Sequence, residues 1–215
     1  MPPLFRRRTF WVPTWLGCLA LLAALALPGI GWWFRAEGFF SLTERQPAEV
    51  LIVEGWIGIE GVTAAKEEFV SGNYTWIVTA GSLTGTRWDV QRWNAAIEAA
   101  KILRGLGVNP AQIVEAPSGE NLSQRSFAAA ESVQARLKEL GVSPARVNVF
   151  TLGVHARRSR LVFAKALGTS TRVGAVAWIP PKDREIPWWK SSDRAQELLK
   201  ETVAYPFELF ASSGR

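Results

Sequence analysis

AEVLIVEG, residues 48–55, decides the fold. Four apolar residues run without a break from Val50 to Val53, three of them β-branched, and the run stops at Glu54-Gly55. A strand with one wet face alternates apolar and polar side chains, whereas an unbroken run belongs to a strand covered on both faces, as in a parallel sheet. TWIVTAG at 75–81, AQIVEAP at 111–117, RVNVFTLG at 146–153 and RVGAVAWIP at 172–180 are of the same kind. Helical spacing lies between them: Trp93, Ala96, Ile97, Ala100, Leu103 and Leu106 recur at steps of three and four, as do Phe127, Ala130, Val133, Leu137 and Leu140. Segments 62–71, 156–167 and 193–204 predict further helices, the last opened by Ser192-Asp193 and ended before Pro206. Strands alternating with helices of this length predict a Rossmann-like three-layer α/β sandwich with a mainly parallel sheet of about five strands.

The domain so defined covers 48–210, with a tail at 211–215. Before it, residues 9–34 carry no charge from Thr9 to Phe34, enough to span a bilayer as one N-terminal transmembrane helix. A basic flank, residues 1–8 with Arg6, Arg7 and Arg8, precedes this span, and a linker of mixed character, 35–47, follows it. The arginines predict that the N-terminus lies in the cytoplasm and the α/β domain on the outer side of the membrane. Trp11 and Trp15 at one end, with Trp32 and Trp33 at the other, suit the two headgroup zones. Ala24-Leu25-Ala26 also offers a small-x-small site for a cleaved leader, although Pro28 and the tryptophans beyond it favour an anchor.

Charge argues against nucleic acid as a partner. The formal charge is +6, but residues 1–35 hold four arginines and no acid, leaving 21 basic groups against 19 acidic ones. That near balance is too small for non-specific binding to duplex phosphates. Cys18 is the one cysteine and lies in the apolar run, so no intrachain disulfide and no Cys/His metal site can be built. GWIGIEG at 55–61 is not a dinucleotide loop, GSLTG lacks the P-loop lysine, and no Gly-x-Ser-x-Gly elbow occurs. The sequence therefore names no cofactor.

In an open parallel sheet, ligands bind beyond the carboxyl ends of the strands. Those ends offer Glu54 and Gly55, then Gly81 and Ser82, then Glu115 and Ser118, and finally Thr151 and His155. The last leads into GVHARRSR, 153–160, which holds the only histidine and opens a helix with Arg157, Arg158 and Arg160. Cations in the first turn oppose the helix macrodipole by roughly 0.3–1 kcal/mol each. The pattern fits a solvated face, or a bound anion that removes the penalty, with Arg125 as a further fork. On the second reading Arg157 or Arg158 with Arg125 holds the anion, His155 is the general acid or base, and Glu54 or Glu115 orients it.

The segment VNVFTLGVHARRSRLVFAKALG resembles the signature of the YdcF-like family, which includes the SanA and ElyC envelope proteins, and the resemblance extends over about 48–205. It aligns Glu54, Thr79 to Ser82, Glu115 with Ser118, and Thr151 with His155 and Arg158 to the family's strand-end positions. The chain departs from the pattern at NLSQRSF, 121–127, where Arg125 and Ser126 stand in place of a Thr/Asn pair. The resemblance implies a Rossmann-like fold behind a membrane helix and a role in bacterial cell-envelope, peptidoglycan-related processes. The expected function is then binding or processing of an anionic phosphorylated envelope precursor. The alternative is a non-catalytic anchored scaffold or regulator of envelope enzymes, docking through IPWWKSS at 186–192.

Overall fold

The computed structural model describes residues 13–84, 92–119 and 124–210. The chain divides into two compact units, Met1–Ala36 and Glu37–Arg215. The first holds most of helix α1, Trp15–Phe40, whose 26 residues are long and apolar enough to cross a membrane. At 1.5 Å per residue α1 is about 39 Å long, more than the roughly 30 Å of hydrocarbon in a bilayer. Residues 9–12 of the expected span, with Trp11 and the Arg6–Arg8 flank, lie outside the described residues.

The second unit is the expected α/β domain. Strands β1 (Val50–Glu54), β2 (Trp76–Gly81), β3 (Ile113–Pro117), β4 (Arg146–Leu152) and β5 (Arg172–Trp178) form one sheet in the order β3-β2-β1-β4-β5. Every pairing is parallel. Helices α2 (Gly58–Ser71), α3 (Ala95–Gly105), α4 (Arg125–Glu139), α5 (Ala156–Leu167) and α6 (Ser192–Phe210) complete it. Both faces of the sheet are covered, which is why the strands read as unbroken apolar runs. Val50 and Ile52 point to a core shared with Val133 of α4 and Phe163 of α5. Leu51 and Val53 point to the other, shared with Val62 of α2 and Leu103 of α3.

Three local expectations change. Helix α3 begins at Ala95, behind Asn94, whose side chain accepts a bond from the Ala96 N–H at 3.0 Å. Trp93, Ile97 and Leu106 are exposed; Ala96, Ala100 and Leu103 are buried as expected, and Ala95 and Ala99 join them. Small side chains let this helix approach the strand ends closely. A Cβ on Gly55 would come within 2.1 Å of the Ala95 carbonyl oxygen, and one on Gly81 within 2.7 Å of the Ala95 Cβ. Helix α6 does not stop at Pro206 but runs to Phe210. Beyond the proline, the buried Glu208 accepts a 2.8 Å ion pair from Lys165 of α5, a tertiary contact that holds the extra turn. The N-terminal cap of α6 is Ser191, whose hydroxyl accepts from the Arg194 N–H, one residue earlier than Ser192.

The segment read as a linker packs on the domain from Glu37 onward. Glu44 exchanges two backbone hydrogen bonds with Ala175 of β5, at 2.8 and 3.0 Å. The Asn148 side chain brackets Gln46, accepting from its N–H and donating to its carbonyl, both at 2.8 Å. Trp188 is buried and Trp189 half-exposed, so the tryptophan pair offers one ring, not two, to a partner.

The glycine contact is testable. Because the group opposite Gly55 is backbone, Gly55→Ala cannot be relieved by a side-chain rotation and should cost about 3 kcal/mol. Thermal unfolding of the full chain reads it as a fall in midpoint of roughly 6–12 °C.

Candidate functional site

Strand order reverses between β1 and β4, since the chain builds β2 and β3 on one side of β1 before crossing to β4 and β5 on the other. Loops diverge at such a switch point and leave a crevice. A cleft of about 330 Å³ lies there, reached by Glu54 from the end of β1 and by Gly81 and Ser82 from the end of β2. Arg125 and Ser126 of α4, His155 and Arg158 at the start of α5, and Glu197 and Lys200 of α6 complete its walls.

The floor is a buried charge cluster. Glu201 of α6 is wholly buried, 2.7 Å from His155 Nδ1 through one carboxylate oxygen and 2.7 Å from Arg158 Nε through the other. Arg158 Nη2 donates to the first oxygen at 2.8 Å, making the guanidinium bidentate, and Nη1 donates to Ser126 Oγ at 3.2 Å. Burial pushes the Glu201 carboxyl up, but hydrogen bonds from His155 and Arg158 and the Arg158 charge outweigh it and hold the group at about 2. Burial likewise lowers the Arg158 guanidinium, and Glu201 more than reverses this, leaving its pKa raised. An ionised carboxylate only accepts hydrogen bonds, so His155 Nδ1 carries a proton towards Glu201, and in the neutral imidazole Nε2 is then the acceptor. The Trp56 ring meets the imidazole edge-on at 4.9 Å, fixing its plane. Beside this cluster Glu54, also buried, accepts from Ser159 Oγ at 2.7 Å.

Of the residues singled out in the sequence, the cleft brings together Glu54, Gly81, Ser82, Arg125, His155 and Arg158. The others lie elsewhere. Glu115 is paired with Arg104 of α3 at the β3 edge of the sheet. Arg157 turns away, donating from Nε to the Phe39 carbonyl with its guanidinium 4.0 Å over the Phe39 ring. Gly55 packs under Ala95, as above. Ser118 is buried with its N–H on the Gly81 carbonyl at 2.9 Å, and Thr151 is buried on β4; among the described residues neither hydroxyl has a hydrogen-bond partner.

The arginines that open α5 are already compensated. Arg158 has Glu201, Arg160 has Glu44 at 3.1 Å, and Arg157 has a carbonyl and a ring. The anion that offsets the macrodipole comes from within the chain, so these three cations do not by themselves call for a ligand. Sequence reasoning missed Glu201, Ser159, Ser126 and Lys200. Two of them left a signal: Ser159 and Glu201 are polar residues on otherwise inward helix faces, with Val162 and Phe163 in α5 and with Leu198 in α6. No family model matches the chain, and no curated protein matches it.

Glu201 makes stability depend on acid pH with a defined sign. Its pKa is about 2 folded against an ordinary 4.5, so the stabilisation is full above pH 4.5 and is lost as pH falls towards 2. Glu201→Gln should remove about 3–5 kcal/mol at neutral pH by stranding a buried Arg158. It should also flatten the acid limb between pH 4.5 and 2. Urea unfolding across that range measures both effects.

Proposed function

We propose that this is a membrane-anchored, YdcF-like protein of the bacterial cell envelope whose cleft binds, and through His155 acts on, an anionic phosphorylated ligand. The observation that carries this reading is the convergence of separate cations on a cleft that also holds a histidine fixed by a buried carboxylate. Arg125 and Lys200, both exposed, flank the opening. Among the described residues Arg158 donates three of its five N–H groups to Glu201 and Ser126, and its Nη2 also lies 3.5 Å from His155 Nδ1. Two exposed cations and a fork fixed on Glu201 are a suitable receptor for a phosphoryl group.

The rest of the cleft is acceptor-rich. Glu54 has a carboxylate held at one oxygen by Ser159, and the neutral His155 offers Nε2, so both accept hydrogen bonds from a ligand's donors. A bare phosphate would meet Glu54 and Glu197 as like charges, whereas a sugar phosphate brings hydroxyl donors for them and an anion for the rim. Trp56, 39% exposed beside the imidazole, gives a flat apolar wall for the sugar ring. His155 then takes a proton from a ligand hydroxyl or water at Nε2, and Glu201 stabilises the imidazolium that forms, the division of labour of a carboxylate–histidine pair. In the same reading α1 spans the inner membrane with its N-terminus in the cytoplasm and the domain on the periplasmic side.

Titration of phosphorylated sugars onto the full chain in detergent tests the ligand class. Arg125→Ala and Lys200→Ala should each weaken binding about tenfold or more, the worth of a hydrogen bond to a charged group. Unphosphorylated sugars should bind neither the parent nor the variants, and equal affinity in all three proteins would remove the proposal. Orientation has its own measurement: alkaline phosphatase fused after Arg215 should be active in cells, and activity only of a cytoplasmic reporter at the same place would reverse the topology.

A further inference from the structure

Helix α6 is built inside out. Its buried residues are Leu198, Glu201 and Glu208, whereas Leu199, Val203, Phe207 and Phe210 are 63%, 73%, 58% and 80% exposed. At about 100° per residue these four fall with Pro206 on one arc of roughly 100°, opposite Glu201 and Glu208. A helix on a water-soluble domain carries the reverse pattern, and the inner face here is accounted for by ion pairs to α5. The outer face has no such partner among the described residues.

Two observations say what covers it. From Leu198 to Phe210 the only acids are Glu201 and Glu208, both turned inward and paired, so the outward side carries a single charge, Lys200. An apolar stripe flanked by a cation and free of acids is complementary to an anionic lipid surface. The second observation is where the chain enters the domain. The Tyr205 ring of α6 lies 6.0 Å from both Phe39 and Phe40, the last residues of α1. The polypeptide thus passes from the uncharged run ending at Phe34 to contact with α6 within a handful of residues. Only residues 35–38 separate that run from Phe39 in the sequence.

We propose that the outward face of α6, from Leu199 to Phe210, seats in the headgroup layer of an anionic bilayer. Lys200 meets lipid phosphates, and Val203, Phe207 and Phe210 enter the acyl boundary. The proposal rests on the reading of α1 as a membrane span. Anchoring by α1 then leaves the domain with one orientation on the membrane in place of free rotation about its tether. Because Lys200 also lines the cleft, that orientation holds the cleft rim at the depth of the lipid phosphates.

Depth-dependent quenching in vesicles tests this on the full chain, with Cys18→Ser and one new cysteine carrying an environment-sensitive dye. Phe207→Cys probes the stripe, Thr169→Cys the exposed turn between α5 and β5, and Leu25→Cys the middle of α1. The vesicles are phosphatidylethanolamine with about a quarter phosphatidylglycerol, doped with nitroxide lipids. A headgroup-proximal nitroxide should quench the dye at 207 at least about twofold more than at 169. Equal quenching at 207 and 169, with strong acyl-chain quenching at 25, overturns the docking while the anchor stands. Absence of quenching at 25 removes the anchor and the proposal with it. A dye at 207 shielded from aqueous iodide but not quenched by lipid assigns the face to a protein partner or second copy, and overturns it equally.

Discussion

The Glu201 carboxylate, buried between His155 and Arg158, is the constraint on which the site depends. Taking a carboxylate and a guanidinium out of water costs several kcal/mol per ion, and the cost is offset only when geometry and hydrogen bonding are complete. Here they are: both oxygens are used, the guanidinium binds through two nitrogens, and a third hydrogen bond comes from the imidazole. That single group does three things. It docks α6 on α5, cancels the unfavourable cation in the first turn of α5, and fixes the tautomer and aim of the only histidine. Removing it would leave Arg158 buried without a counter-charge and His155 without an orienting partner.

The position of this cluster follows from topology. The sheet reverses direction of growth between β1 and β4, so the carboxyl ends of these strands are neighbours whose following loops part in opposite directions. Glu54 ends β1 and His155 lies three residues past β4, which brings two titratable groups to the same opening. Close packing of α3 under the strand ends sets the other wall. Gly55 and Gly81 are glycines there because Ala95 occupies the space a side chain would need.

Much of the fold was legible because burial on both faces writes itself into a strand as an unbroken apolar run, and the five runs correspond to the five strands. Helix positions were legible, but only half of the inner face expected for α3, Ala96, Ala100 and Leu103, is buried. Trp93, Ile97 and Leu106 have the right spacing, yet the sheet selects the alanine face because only small side chains allow its close approach. The site was half legible. Strand-end reasoning reached Glu54, Ser82, His155 and Arg158, since chain direction alone converges them. It could not reach Glu201, which meets α5 from 43 residues downstream in sequence. Nor could it separate Arg157 from Arg158, because adjacent helical residues differ by 100° and only the packing of α6 says which one faces inward.

The same ion pairs decide which way α6 faces. With Leu198 as its one buried apolar residue, the helix has little hydrophobic packing to set its rotation. Rotating it by one residue would instead expose or misalign Glu201 and Glu208 together, breaking two buried pairs at roughly 3–5 kcal/mol each. Their spacing of seven residues, close to two helical turns, keeps both on one line and so pins the helix at two points. Leu199, Val203 and Phe207 are therefore outward by electrostatic necessity, even though burying them would be worth roughly 1.5–3 kcal/mol per side chain. A water-exposed apolar stripe enforced in this way gains that free energy only from a surface outside the domain. The charges that organise the cleft and the apolar face that leaves the domain are thus two consequences of one helix register.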